Sequence, residues 1–335
     1  MNQEPVRLVA PLATPPAKRR HGFDLAQARF AIDLNLPSDP PALSHVLPGL
    51  LVGTVGLLAA PGGKGKTMFL LQLAAAMALG RPICGGLFEL GGKDACRRTE
   101  PSKVVVVLAE ESAAIVHHRL HTILSSSMRG GSPLLPHTAD LELLETLQRN
   151  LVVLPCADHG RPTLFDRDGK TTWIYERLQE LSQGAHLVLL DPLRQLHNGD
   201  EVDSGYMTGV MSSLQRIVAG TSGAMMVAHH TSQASSVADY GDRAQAARGS
   251  TAITDAVRFQ LNLSTPSDKW LRSMGIGYDD TDNLLRVDVA KANHLAPVPT
   301  QLLIRGPGGV LRQAKQHELQ MRIGVSSRSR KGAQS

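Results

Sequence analysis

The segment APGGKGKT at residues 60–67 carries the strongest chemical signal in the sequence. Glycines at this spacing let successive backbone N–H groups point into one concavity that holds phosphate oxygens. A helix that starts at the end of the segment adds the partial positive charge of its N-terminus. Lys66 would reach the β- and γ-phosphates, and the Thr67 hydroxyl would hold Mg²⁺. The segment therefore predicts a P-loop that binds a nucleoside triphosphate.

One position departs from the P-loop consensus, because Ala60 stands where the first glycine is usual. Alanine is small, so we expect the loop to form. The alternative, a glycine-rich turn without function, is disfavoured by the apolar strand pattern before the segment and the helical pattern after it. The expected nucleotide contacts are Pro61, Gly62, Gly63, Lys64, Gly65, Lys66, Thr67 and Met68.

A second signal is an apolar run that ends in a carboxylate, LVLLD at residues 187–191. A carboxylate at the carboxyl end of a strand beside the P-loop can order Mg²⁺ and its waters. Asp191 is therefore predicted to be the Walker B residue and a metal ligand together with Thr67. The alternative is an aspartate that only begins a turn before Pro192.

Two glutamates follow the apolar run 104–109. A glutamate at the tip of the strand after the P-loop helix could accept a proton from the water that attacks the γ-phosphate. We assign this role to Glu110 and keep Glu111 as the alternative. The other interpretation is an acidic residue that favours the start of the following helix, a role that suits Glu111.

A third apolar run, 224–228, ends in His229 and His230. A polar residue there could contact the γ-phosphate and report its loss to the next segment. A metal site is disfavoured, since adjacent strand residues point to opposite faces. The polar segment 231–247 follows and ends at Arg248, which precedes an apolar helix. Such a loop could move a bound nucleic-acid strand. The alternative is a surface loop without function.

A β-sheet would bring these residues together, and the pattern of apolar runs predicts one. Strand-like runs alternate with helical segments, which predicts an α/β fold with a mainly parallel central sheet flanked by helices. The later runs have less helix between them and predict an antiparallel C-terminal extension of the sheet. The predicted strands are 54–59, Val104–Leu108, 151–154, 187–190, 224–228, 259–263, 284–289 and 301–304, and the predicted helices are 68–79, 113–124, Trp173–Leu181 and 207–217.

The composition of the chain indicates its domain organisation and limits the kinds of partner that it can bind. We expect a flexible lead-in over 1–45, one ATPase domain over 46–315 and a basic, disordered tail over 316–335. Aromatic residues are only 4% of the chain, so stacking of bases on aromatic platforms is excluded as the main binding mode. The net charge of +5 favours a polyanionic partner without requiring one.

The three cysteines are odd in number and widely spaced, which indicates a reducing, cytoplasmic compartment. The sequence shows neither a signal peptide nor an apolar segment long enough to span a bilayer, so no membrane partner is expected.

Taken in order, the motifs resemble those of the RepA family of hexameric replicative helicases from broad-host-range plasmids. The resemblance covers roughly residues 44–314. Its motifs are GGKGKT at 62–67, AEE at 109–111, HHRLH at 117–121, LDPLR at 190–194, HH at 229–230, ARGS at 247–250 and VAKAN at 289–293. The family has a RecA-like ATPase core, assembles as a ring, hydrolyses nucleoside triphosphates and unwinds DNA from 5′ to 3′.

The resemblance implies roles for individual residues. Lys66 and Thr67 would bind phosphate and Mg²⁺, Glu110 would activate water, Asp191 would be the Walker B residue and His230 the phosphate sensor. The further residues that the resemblance assigns are Arg248 as an arginine finger acting on a neighbouring subunit, Lys291 as a second cation acting in trans, and Arg194 and Arg243 as DNA contacts on the channel loops 193–204 and 231–247.

The favoured hypothesis is therefore an ATP-driven ring helicase, with ATP and Mg²⁺ as cofactors and single-stranded DNA as partner. By resemblance it would be a hexamer that works with a plasmid initiator protein and a primase. The longer lead-in and the loop near residues 91–101 depart from the family and bear on those protein partners. The alternatives are a RecA-like ATPase that binds DNA or loads another protein without unwinding, and a regulatory ATPase that binds no nucleic acid.

Overall fold

A computed structural model describes residues 42–88, 100–126, 141–230, 251–278, 280–294 and 297–319. The chain divides after Ala42, and the fold described here belongs to the second part, Leu43–Ser335. Residues 1–41 of the predicted lead-in, the loop 231–247 with Arg243, and Arg248 lie outside the described residues.

One nine-stranded sheet dominates the described part of the chain. Its strand order is β11-β10-β9-β8-β3-β7-β6-β4-β5. The strands are β3 (Val55–Ala60), β4 (Val104–Leu108), β5 (Leu151–Pro155), β6 (Leu187–Asp191), β7 (Ala224–His230), β8 (Phe259–Ser264), β9 (Leu284–Ala292), β10 (Gln301–Arg305) and β11 (Leu311–Gln313). A separate two-stranded hairpin, β1 (His45–Leu47) with β2 (Leu50–Leu51), precedes them.

The central strands are parallel and the C-terminal ones antiparallel. β3 pairs in parallel with β7 and β8, and β6 pairs in parallel with β4 and β7. β8, β9, β10 and β11 pair in antiparallel succession. Strands β3, β4 and β6 are buried along their whole length, as expected for a sheet covered on both faces. The predicted fold class is therefore confirmed.

Helices cover both faces of the sheet. They are α1 (Lys66–Leu79), α2 (Ala113–Ser125), α3 (Leu141–Asn150), α4 (Trp173–Leu181), α5 (Ser204–Val218), α6 (Thr251–Ala256) and α7 (Asp268–Ser273). Helix α1 packs in one apolar cluster, whereas α4 and α5 pack in a second cluster. No helix among the described residues combines the length and the apolar character needed to cross a bilayer.

A buried ion pair stiffens the antiparallel extension. Arg286 lies 2.8 Å from the Asp288 carboxylate, and both side chains are about 95% buried. The Thr300 hydroxyl donates to the same carboxylate at 2.6 Å, and the Arg286 guanidinium lies 4.6 Å from the centroid of the Trp270 ring. These contacts join β9, the start of β10 and α7, and so fix the edge of the sheet that carries β10 and β11.

Several short or solvent-facing elements were not predicted from the sequence. They are the β1–β2 hairpin, β11 and α3. Helix α3 has no fully buried residue, although its sequence LELLETLQRN is clearly amphipathic, so its helical signal was present in the sequence. Residues Gln316–Glu318 form a 3₁₀ helix that Arg312 holds through a two-pronged ion pair to Glu318. Regular structure thus continues to Glu318, inside the predicted tail, and residues 320–335 lie outside the described part.

Candidate functional site

An open cleft of about 590 Å³ lies at the carboxyl ends of β3, β4, β6 and β7. In open α/β sheets ligands bind at this edge, where the loops after the strands converge. Side chains from the P-loop, from three neighbouring strands, from α2 and from the β10–β11 turn meet there. The lining residues are Pro61, Gly63, Gly65, Lys66, Thr67, Met68, Glu110, Glu111, Ile115, His118, Arg119, Asp191, His230, Arg305, Gly308 and Gly309.

The P-loop adopts the backbone geometry that its glycines allow. Gly63 has φ +72° and Gly65 has φ +87°, in the left-handed region that other residues rarely enter. Gly65 is the N-cap of α1, so the helix begins at Lys66 with its first backbone N–H groups directed out of the helix end. Six of the eight predicted contacts line the cleft. Gly62 and Lys64 belong to the same loop but do not line it.

Lys66 is placed deep in the cleft and has no carboxylate partner in hydrogen-bond contact among the described residues. Its side chain is mostly buried, and its Nζ lies 3.4 Å from His230 Nδ1. Burial lowers the pKa of Lys66 from its ordinary value, while the charges of Asp191 and Glu110 oppose that shift. A phosphate group in the cleft would supply the negative charge that this ammonium lacks.

Thr67 and Asp191 meet directly across the sheet. The Thr67 hydroxyl donates to Asp191 Oδ2 at 2.6 Å. Strand β7 lies between β3 and β6, so the contact is made over the end of β7. Burial raises the pKa of Asp191, although the bond from Thr67 and the charge of Lys66 work against that shift. A cation at this carboxylate would therefore favour its ionised form.

The same pair is suitable for Mg²⁺. Hydroxyl and carboxylate oxygens are the donors that this ion takes, and it usually keeps waters and phosphate oxygens for its remaining positions. The described residues hold no group of three or more His, Cys, Asp or Glu side chains arranged as a metal site. An ion held by Thr67 and Asp191 would thus depend on the nucleotide for its other ligands.

The two glutamates after β4 have different partners. Glu110 is exposed in the cleft and accepts a hydrogen bond from Gln195 Nε2 at 2.9 Å. Glu111 pairs with Arg119 on α2 at 2.9 Å. The cap of α2 is Ser112, whose side chain accepts from the backbone N–H of Ile115, so Glu111 is not needed as a cap. This geometry favours Glu110 over Glu111 as the residue available to a water molecule.

The two histidines at the end of β7 face different surroundings. His230 lines the cleft beside Lys66, and burial together with the Lys66 charge lowers its pKa. His229 is buried behind the cleft, with its Nδ1 3.8 Å from Glu201 Oε1. His197, fully buried, lies 3.6 Å from the same carboxylate oxygen. Glu201 thus lies near both His197 of its own segment and His229 of β7, and so brings the segment after Asp191 next to the strand of the candidate sensor.

The segment after Asp191, predicted as a channel loop, is tightly held in its first half. Leu193–Gln195 form a 3₁₀ helix. Arg161 donates to the backbone carbonyl oxygens of Arg194, Gln195 and His197. The Arg194 side chain is exposed to solvent, where a DNA phosphate could reach it.

Several predicted residues do not meet in the cleft. Lys291, on β9, donates to the backbone oxygen of Thr254 at 2.8 Å and does not line the cleft. Arg194 lies on the exposed side of the 3₁₀ helix. Arg243 and Arg248 lie outside the described residues, so their roles stay predictions.

Two groups of cleft residues were not predicted from the sequence. The β10–β11 turn contributes Arg305, Gly308 and Gly309, and α2 contributes His118 and Arg119. The HHRLH motif was the one available signal for α2, whereas nothing in the local sequence around residue 305 indicates a nucleotide site.

Comparisons with known proteins agree with this architecture. The family model described as an AAA domain matches residues 24–236. The solved structure titled "ATPase Domain of G40P" superimposes with a TM-score of 0.51 at 14% identity, over 78% of this chain and 84% of that one. A structure of a DnaB-like replicative helicase and its interactions with primase gives a TM-score of 0.51 at 13% identity, over 78% of this chain and 58% of that one. At these identities the two structures show a shared RecA-like fold.

Proposed function

Because the chain belongs to the AAA-domain family of P-loop NTPases, we propose that it is an ATP-dependent, ring-shaped DNA helicase that acts in replication of a plasmid or other mobile element. The observation that carries this proposal is the convergence of four groups on one cleft: the Lys66 ammonium, the Thr67–Asp191 pair, the Glu110 carboxylate and the His230 ring. The sequence resemblance to plasmid replicative helicases supports the finer assignment.

The P-loop residues would bind and neutralise the triphosphate. Backbone N–H groups at the start of α1 hold phosphate oxygens, and Lys66 places its charge at the γ-phosphate. Mg²⁺, when bound at Thr67 and Asp191, supplies positive charge that the transition state needs. Since Lys66 is desolvated, its interaction with the phosphates is stronger than the same interaction in water.

Glu110 would accept the proton of the attacking water. Its hydrogen bond from Gln195 fixes the direction of the carboxylate while leaving the group exposed to the cleft. General-base assistance of this kind requires the carboxylate to be ionised and within hydrogen-bond reach of the water.

Two contacts connect the cleft with the candidate DNA loops. Gln195, which holds Glu110, lies on the segment 193–204. His230, beside Lys66, directly precedes the segment 231–247. Loss of the γ-phosphate would thus change contacts at the start of both segments. We propose that Arg194 and Arg243 hold single-stranded DNA there and that a hexameric ring moves from 5′ to 3′.

The same proposal extends to other proteins. The DnaB-like structure with a similar fold is described with a primase. By resemblance to the plasmid helicases, we propose an initiator protein and a primase as partners of this chain.

The Lys66→Ala variant should lose about 10²–10³-fold or more in ATP turnover, because it removes a preorganised charge from the transition state. Steady-state hydrolysis by the folded variant measures this effect. The matched control is Lys64→Ala in the same loop, which should keep most of the activity, because Lys64 does not line the cleft and the substitution leaves its backbone N–H in place. Near-normal turnover by Lys66→Ala would refute the P-loop assignment.

One pair of assays tests the proposed function as a whole. ATP hydrolysis should rise when single-stranded DNA is added, and a forked DNA duplex should be separated only in the presence of ATP and Mg²⁺. Stimulation by DNA without strand separation would favour the alternative, a DNA-binding or loader ATPase. Hydrolysis that DNA does not change would point to a regulatory ATPase.

Arg194→Ala should weaken single-stranded DNA binding and reduce the slope of log affinity against log salt by about one. Titration of labelled single-stranded DNA at several salt concentrations measures both quantities. Arg177→Ala is the control, because Arg177 is also exposed but sits on α4, paired with Glu180. Equal salt slopes for all three proteins would remove Arg194 from the DNA surface.

A further inference from the structure

The second wall of the cleft comes from a distant part of the chain, the turn between β10 and β11. Arg305 ends β10, and Gly308 and Gly309 form the tip of the turn. All three line the cleft, and the turn packs beside the P-loop and the start of α1. None of the motifs that identify P-loop proteins includes this turn, and it lies about 240 residues after the P-loop.

Arg305 reaches the P-loop itself. A Cβ built on Gly65 would lie 3.5 Å from Arg305 Nη2. That nitrogen is buried, yet it has no hydrogen-bond partner among the described residues. A buried guanidinium nitrogen without a partner is costly, so its place next to a phosphate-binding loop calls for a ligand.

The turn is held rigidly in this place. Gln72 of α1 donates to the Leu311 backbone oxygen at 2.8 Å and accepts from the Leu311 N–H at 2.7 Å, and both groups are buried. Gly308, with φ +67°, packs so closely on α2 that a Cβ there would lie 2.4 Å from Thr122 Cγ2. The turn is thus fastened to the P-loop helix on one side and to α2 on the other.

We propose that Arg305 is a nucleotide-binding residue that contacts the bound nucleoside triphosphate from within the same chain. This inference rests on the proposed nucleotide binding of the cleft. The planar guanidinium offers several N–H donors for phosphate oxygens and a flat face for a base. Its charge adds to that of Lys66, which lines the same cleft.

The test is equilibrium binding of ADP, ATP and GTP to the full-length chain. Arg305→Gln should weaken binding about 10–100-fold, the range for one lost hydrogen bond to a charged group. Arg305→Lys, which keeps the charge but not the planar donor set, should fall between Arg305→Gln and the unchanged chain. Equal losses for ATP and GTP would place the contact at the phosphates, whereas unequal losses would place it at the base.

Two control variants distinguish a failure of the Arg305 inference from a failure of the proposed function. Arg312→Gln changes a neighbouring arginine that pairs with Glu318 outside the cleft, so it should alter stability but not nucleotide affinity. Lys66→Ala should weaken binding on any P-loop mechanism. If Lys66→Ala weakens binding while Arg305→Gln and Arg305→Lys match the unchanged chain, the Arg305 inference is wrong. If the unchanged chain binds no nucleotide, the proposed function fails first.

Thermal unfolding checks the fold of each variant. ATP should raise the melting temperature of Arg312→Gln as much as that of the unchanged chain, and should raise that of Arg305→Lys less at the same ATP concentration. An equal rise for Arg305→Lys would overturn the inference even if Arg305→Gln does not fold.

Discussion

Glu110→Gln should bind ATP with nearly unchanged affinity and hydrolyse it about 10²–10⁴-fold more slowly. The amide keeps the size of the side chain and can still interact with Gln195, but it cannot accept a proton from water. The phosphates are bound by other residues, so affinity should not fall. Single-turnover hydrolysis and equilibrium ATP binding, measured on the same preparation, separate the two effects.

Glu111→Gln is the matched control, because it makes the same chemical change at the next residue. Glu111 pairs with Arg119, so its loss should affect the stability of the β4–α2 junction more than turnover. If Glu111→Gln proves to be the slow variant and Glu110→Gln stays active, the general base has been assigned one residue too early.

Arg248→Ala should reduce hydrolysis by about 10³–10⁵-fold, the contribution of an arginine finger in NTPases. The expectation rests on the family resemblance and on the place of Arg248 in the sequence, after the sensor strand and the polar segment 231–247. An arginine that acts on a neighbouring subunit can be distinguished from one that acts on its own nucleotide by mixing variants.

Arg248→Ala and Lys66→Ala subunits should each be nearly inactive alone. In mixed rings some interfaces join an intact P-loop to an intact Arg248 of the neighbour, so part of the activity should return. If the two variants co-assemble and no activity returns, either Arg248 acts within its own subunit or every interface must be competent. The hydrolysis rate of a variant that does not assemble separates those two explanations.

The parallel part of the fold could be predicted because each strand carries its own signal. Val104–Leu108 is a β-branched, wholly buried run, and its predicted bounds match the structure. The meeting of Thr67 with Asp191 could also be predicted, since parallel strands bring their carboxyl ends to one edge.

The antiparallel edge was harder to predict, because its short strands are defined by pairing with each other. β11 has three residues, of which only Leu311 is fully buried, so little periodicity marks it. The position of Arg305 depends on the register of three antiparallel strands and on the Gln72 contact. No local pattern records such a contact between distant segments.

Arg161 makes the start of the segment after Asp191 stiff. Its guanidinium donates to the carbonyl oxygens of Arg194, Gln195 and His197, so these three residues are tied to one side chain. A flexible segment would absorb a pull at its exposed end, whereas a stiff one transmits it. Tension on DNA bound at Arg194 would then reach Gln195 and shift the Glu110 carboxylate that it holds. On the proposed function, the rate of ATP hydrolysis would depend on the tension on the bound DNA.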